Sequence, residues 1–97
     1  MLRVWAKMMK GSHMLRDYVA VNEDVRLSPS QRLEDCMDQI CHELDLAKPI
    51  WLDQNYEELN RFGKTAFRQD HFIEPIAFQM LEIEIIEMDD GEEEEKG

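Results

Sequence analysis

Two cysteines and a neighbouring histidine are the residues of this chain whose types most directly suggest chemistry. Cys36, Cys41 and His42 are close in sequence, and thiolate and imidazole groups are the usual ligands of structural zinc. The two thiols are five residues apart, which on a helix separates them by about 140° around the axis, whereas structural zinc sites take two closely spaced pairs of ligands. Both cysteines also continue an apolar stripe at helical spacing, so the pattern favours core packing over metal binding or redox chemistry. We therefore predict no metal ligands and no cofactor.

Two clusters place histidine next to carboxylates. Asp35, Asp38 and His42 are spaced three and four apart, so they share one face of a helix and could bind a divalent metal weakly or exchange a proton. Asp70 and His71 are adjacent in a predicted loop, where functional residues are common. No serine or cysteine nucleophile has an evident relation to His71, and no glycine-rich phosphate loop occurs. We therefore predict no catalytic residues. A small metal-dependent enzyme using Asp38, His42, Asp70 and His71 is the alternative from another functional class.

The charge of the chain restricts its partners. It contains 11 Lys and Arg against 22 Asp and Glu, a net charge of −11 at pH 7. Such an excess repels phosphate backbones and anionic lipids, so we expect no direct nucleic-acid binding and no membrane docking, and we expect a basic protein partner. Two cysteines do not make a disulfide scaffold and no secretory signal is visible, so the sequence favours a cytoplasmic location.

The amino terminus has the pattern of an expression leader. Residues 11–14 read Gly-Ser-His-Met, as in a protease scar followed by a start codon. We predict that residues 1–14 are a leader or tag remnant, whether vector-derived or a deliberate fusion, and that residues 15–88 form a single domain. Residues 89–97 are a run of acidic residues with nothing apolar to bury, and we predict that they are disordered.

The clearest strand signal lies near the carboxyl end. In the segment 78–87, Leu81, Ile83 and Ile85 alternate with Glu82 and Glu84. This two-residue period is typical of a strand with one buried and one wet face.

The clearest helix signal begins at Ser28, which is followed by Pro29 and Gln31 in the order of a capping box. Pro49 ends this helix. The apolar stripe of the helix comprises Leu33, Cys36, Met37, Ile40, Cys41 and Leu44.

A second, shorter helix is predicted from Asp53 to a left-handed stop at Gly63. Tyr56, Leu59 and Phe62 are predicted to face inward from it.

Together with strand candidates at 17–22 and 64–68, these signals give the order β-α-α-β-β. We predict a small two-layer α+β domain with a three-stranded, mainly antiparallel sheet and two helices on one face. The strands at 64–68 and 78–87 are expected to pair antiparallel because their connection is short, with 17–22 at an edge. Exposed strand edges leave a homo-oligomer open as an alternative.

A partner-binding surface is predicted from exposed carboxylates and one aromatic residue. Trp51 lies in the linker between the helices, where it could fill the core or anchor an interface. The carboxylates of the last strand form a row that could solubilise the strand or dock on a basic groove. The predicted partner-binding residues are Glu34, Asp35, Asp38, Trp51, Glu82, Glu84 and Glu87.

These observations favour a small, acidic, non-catalytic protein-interaction module that binds a basic partner protein. A narrower hypothesis is a nucleic-acid mimic that inhibits a DNA- or RNA-binding protein.

Overall fold

The sheet of this protein is built from four antiparallel strands in the order β2-β1-β4-β3. The computed structural model describes residues 1–88, so the predicted disorder of residues 89–97 lies outside the described residues. The α+β class and the antiparallel pairing of the last two strands are confirmed, but the sheet has four strands rather than three. The elements are β1 (Leu2–Lys10), β2 (His13–Asn22), α1 (Pro29–Leu44), α2 (Asp53–Phe62), β3 (Lys64–Phe67), a short 3-10 turn (Gln69–His71) and β4 (Met80–Met88).

The strand missed from sequence is β1, which lies in the segment interpreted as a leader. It pairs with β2 along one edge and with β4 along the other. Its side chains alternate between the two faces of the sheet, as the two-residue period of a strand requires. The sheet of the described residues therefore includes β1 as well as the strands of the predicted domain 15–88. The origin of residues 1–14 as an expression leader stays a prediction. The buried side chains of β1 are Leu2, Val4, Ala6 and Met8.

The Gly-Ser-His-Met motif lies at a hairpin. Lys10 pairs with His13, which leaves Gly11 and Ser12 as a two-residue loop. Gly11 has a φ of 61°, a left-handed conformation that glycine adopts without steric cost. Glycine at the first position of a two-residue hairpin loop matches the right-handed twist of the flanking strands. The motif therefore has a local structural role in this fold.

Helix α1 begins as predicted. The Gln31 backbone N–H donates to Ser28 Oγ at 3.2 Å, and the Ser28 backbone N–H donates to Gln31 Oε1 at 2.9 Å, which completes the capping box. Of the predicted apolar stripe, five residues are buried and Leu33 is half-buried. The helix packs on β2 and β1 and ends at Asp45, which has a φ of 58°.

Helix α2 packs on β3 through a polar contact. Asn55 is buried, and its Nδ2 donates to Thr65 Oγ1 at 2.9 Å. Because Asn55 occupies the inward position, the helix is rotated relative to the predicted orientation. Leu59 is buried as predicted, but Tyr56 is 50% exposed and Phe62 64% exposed, so the prediction that both face inward is wrong. Gly63 has the predicted left-handed conformation, with a φ of 74°.

Both helices cover one face of the sheet and leave the other open. Leu81 and Ile83 of β4 are fully buried under the helices, Ile85 is half-buried, and Glu82 and Glu84 lie on the open face. The strand pattern of β4 is therefore confirmed. Within residues 1–88, no helix has the length and apolar character needed to cross a membrane.

Candidate functional site

A groove of about 360 Å³ lies where α1, the linker after it and α2 meet. Helix α1 contributes Leu33 and Met37, which give the groove an apolar lining. The linker and α2 contribute Trp51 and Tyr56. A concave, mainly apolar surface with a few polar groups on its rim is the usual form of a binding site.

The aromatic side of this groove is tied to the core. The rings of Trp51 and Tyr56 are stacked, with centroids 4.8 Å apart and an interplanar angle of 27°. Trp51 also packs edge-on against the fully buried Phe67, with centroids 5.0 Å apart. Trp51 is half-buried, so it serves the core and the groove together. Tyr56 is the more exposed residue of the pair, and part of its ring is open to solvent.

The rim of the groove carries charged side chains of both signs. Lys48 Nζ lies 2.6 Å from Asp38 Oδ1, and both side chains are half exposed. The hydrogen bond with Asp38 is the main reason that the pKa of Lys48 is raised, and Glu34 raises it further. Glu34 itself is exposed, and its carboxylate accepts no hydrogen bond from another residue of 1–88. With Lys48 balanced by Asp38, the rim has a net charge of about −1, which belongs to Glu34.

Of the predicted partner-binding residues, the structure brings Glu34 and Trp51 together in this groove, with Asp38 beside it. Asp35 has a different role. It accepts hydrogen bonds from Asn22 Nδ2 at 2.9 Å and from Gln39 Nε2 at 2.8 Å. Gln39 in turn donates to the Val21 carbonyl at 2.9 Å, and its Oε1 accepts from the Val21 N–H at 3.4 Å. Asp35 therefore orients a glutamine amide that pairs with the outer edge of β2.

The carboxylates of β4 lie on the opposite side of the molecule, on the open face of the sheet. Lys7 Nζ lies 3.1 Å from Glu84 and 3.8 Å from Glu82, and Arg3 lies 3.0 Å from Glu87. These cations come from β1, the strand that was not predicted. The row of carboxylates is present on β4, but the cations of β1 balance most of its negative charge.

A second cleft, of about 450 Å³, lies between α2 and β3, and its polar groups bond mainly to one another. Thr65 Oγ1 donates to Glu58 Oε1 at 2.6 Å, and this hydrogen bond is the first cause of the lowered pKa of Glu58, followed by the one from Gln54. Groups already paired in this way hold α2 on β3. The groove beside α1 is therefore the better candidate site.

The residues of the enzyme alternative are divided between two elements: Asp38 and His42 lie on α1, and Asp70 and His71 lie in the 3-10 turn. His71 Nδ1 accepts a hydrogen bond from the Arg68 N–H at 3.1 Å and lies 3.2 Å from Asp70 Oδ1. Asp38 is engaged by Lys48, and His42 is exposed on α1. Among residues 1–88, no group of three or more His, Cys, Asp or Glu side chains is arranged to hold a metal ion.

The two cysteines are free and buried, so their predicted place in the core is confirmed. Burial raises the pKa of both thiols to about 11, since a thiolate is poorly solvated there. Low-pKa, accessible thiols are the reactive ones, and neither Cys36 nor Cys41 has that environment.

Among the groove residues that sequence reasoning missed, Lys48 and Tyr56 carry the groups that matter for binding. Tyr56 follows Trp51 by five positions. An aromatic residue in the linker and another in the first turns of the next helix were the signal that could have indicated a stacked pair. The position of Lys48 depends on Asp38, which lies ten residues earlier on α1.

Comparison of the chain with known protein families, with curated proteins and with solved structures found no match.

Proposed function

We propose that this protein is a small, non-catalytic interaction module that binds a basic segment of a partner protein in the groove between α1 and α2. The observation that carries the proposal is the stacked Trp51–Tyr56 pair next to the carboxylate of Glu34. Aromatic residues are the commonest anchors of protein interfaces because they bury a large area at a small entropic cost.

The preference for a basic partner follows from charge. The net charge of −11 attracts cationic segments over several ångströms and raises their rate of encounter. Within the groove, Glu34 supplies a carboxylate that has no hydrogen bond inside residues 1–88. A groove of this size accommodates a few side chains, which fits a short linear segment and a transient complex.

Peptide titration tests the proposal. A peptide that contains lysine and arginine should bind the 97-residue chain, and a peptide of equal length with glutamate in place of the basic residues should not. Raising the salt concentration from 50 mM to 500 mM should weaken the binding, because the Debye length falls from about 14 Å to about 4 Å. Binding of the basic peptide that is unchanged at high salt would contradict the electrostatic part of the proposal.

Paired variants locate the site. Glu34→Gln should weaken the binding of the basic peptide about threefold to tenfold, because the substitution removes the rim charge. Glu43→Gln is the matched control, since Glu43 is also exposed on α1 but does not line the groove. Equal effects of the two variants would show that general acidity, and not this groove, is responsible.

A nucleic-acid mimic remains a narrower form of this proposal, in which the partner is a DNA- or RNA-binding protein. It requires competition, so a partner that binds this protein and its nucleic acid together would exclude it. The balance of Glu84 by Lys7 and of Glu87 by Arg3 leaves less free charge on the open face for such mimicry. The groove therefore supports the general form better.

A further inference from the structure

We infer that the groove receives one arginine side chain of the partner, with its guanidinium stacked on Tyr56 and paired with Glu34, and that Lys48 competes with it. This inference rests on the proposed function, and it names the chemistry that the groove recognises. Three features of the described residues carry it: an exposed ring supported by Trp51, a carboxylate without a hydrogen bond and a cation of the protein's own at the same rim.

The ring is preorganised for stacking. Tyr56 is 50% exposed, and the Trp51 ring supports it from one side at a centroid distance of 4.8 Å. Trp51 is itself held by Phe67, which has no exposed surface. A ring fixed in this way loses little freedom when a cation stacks on its outer face. The electron-rich face of tyrosine attracts cations within about 6 Å.

The carboxylate selects among cations. Glu34 lines the same groove as Tyr56, and its carboxylate accepts no hydrogen bond within residues 1–88. A guanidinium is planar and weakly hydrated, so it can stack on a ring and present its N–H groups to a carboxylate at the same time. The ammonium group of lysine is compact and strongly hydrated, and it satisfies the two contacts less well. The groove therefore suits arginine better than lysine.

Lys48 is the cation that interacts with the carboxylates of Asp38 and Glu34 in the structure. Its Nζ bonds to Asp38 at 2.6 Å, and Glu34 contributes to its raised pKa. Both members of the Lys48–Asp38 pair are 53% exposed, so the pair is of the weak, exchangeable kind. An incoming guanidinium meets repulsion from Lys48 and competes with it for carboxylates. Removing Lys48 should therefore strengthen binding, which a purely structural role of the groove would not predict.

The test uses three heptapeptides of glycine and serine that differ only at the central residue, which is arginine, lysine or citrulline. Binding is followed by NMR chemical-shift titration of the 97-residue chain, because a single side chain binds weakly. The arginine peptide should bind about threefold to tenfold more tightly than the lysine peptide, and the neutral citrulline peptide should bind least. Equal shifts with all three peptides would overturn the inference.

Variants of exposed residues complete the test. Tyr56→Leu should weaken the binding of the arginine peptide about tenfold, and Lys48→Met should strengthen its binding about threefold or more. Lys10→Met is the control for Lys48→Met, because it changes the net charge equally at an exposed position on β1. An equal gain from Lys10→Met, or no gain from Lys48→Met, would refute the competition.

The outcomes separate this inference from the proposed function. If the longer basic peptide binds in a way that depends on Glu34 while the three heptapeptides bind alike, the arginine inference fails and the interaction module stands. If the longer peptide does not bind at all, the proposed function fails, and the inference fails with it.

Discussion

Removing residues 1–13, so that the chain begins at Met14, is expected to abolish folding. The deletion takes away β1, which lies between β2 and β4 and pairs with both. Neither neighbour could then pair with the sheet as it does now. β2 would be detached, and β4 would keep only the four-residue β3.

The size of the effect follows from burial. Leu2, Val4 and Met8 are each less than 9% exposed, and burying a side chain of this size contributes about 1.5–3 kcal/mol. Their combined contribution is therefore about 5–9 kcal/mol, before the loss of two strand pairings is counted. A domain of this length has a total stability of about 5–15 kcal/mol, so the loss is comparable to the whole.

The assay is far-UV circular dichroism with urea titration of the full chain and the shortened chain. The full chain should unfold cooperatively, and the shortened chain should show no transition. A shortened chain with the same midpoint and slope as the full chain would refute the reasoning and would show that the fold does not need β1.

Two matched substitutions test the same point without deletion. Val4→Ala should lower the free energy of unfolding by about 2 kcal/mol, through lost burial and a cavity in the core. Val25→Ala removes the same atoms from a side chain that is 81% exposed, and it should change the free energy of unfolding by less than about 0.5 kcal/mol. Equal effects would show that β1 is not buried.

Three further predictions concern other parts of the fold. Asp45→Gly should raise the stability by about 1 kcal/mol, measured by urea titration, because Asp45 has a φ of 58° that favours glycine; a decrease would contradict this. Gln39→Leu should promote concentration-dependent association, seen by light scattering, because it uncovers the Val21 backbone at the edge of β2; a strictly monomeric variant would show that the amide does not protect the edge. Cys36 and Cys41 should react slowly with a thiol reagent at pH 8 in the native state and rapidly in denaturant, because burial raises their pKa to about 11; rapid native reaction would refute their burial. Since the folded state holds the thiols protonated, the same shift predicts that stability is fully present below the ordinary thiol pKa and falls as the pH rises towards 11.

The candidate site was predictable in part. Glu34 and Trp51 could be proposed from residue type and position, because an exposed helical carboxylate and a linker tryptophan are visible in the sequence. Their convergence in one groove, and the presence of Tyr56 and Lys48 beside them, depend on the rotation of α2 and the path of the linker. Asp35 shows the limit most clearly, since the helical spacing puts it on one face of α1 with Asp38 and His42 but gives no sign of its partner Asn22, which lies on another element.

By itself, the sequence determined the local elements: the capping box of α1, its apolar stripe, the alternation of β4 and the left-handed stop at Gly63. These depend on residues within a few positions of one another, so the period of the side chains and the chemistry of the caps are sufficient to specify them.

Only the tertiary structure decided that β1 is central, that its cations balance the carboxylates of β4, and that Asn55 rather than Tyr56 faces the sheet. Lys7 and Glu84 are 77 positions apart, yet they lie 3.1 Å from each other. Contacts of this kind arise from which strands pair and in which register. A side-chain pattern read along one segment does not contain that choice, because it is made by the burial and hydrogen bonding of distant segments against each other.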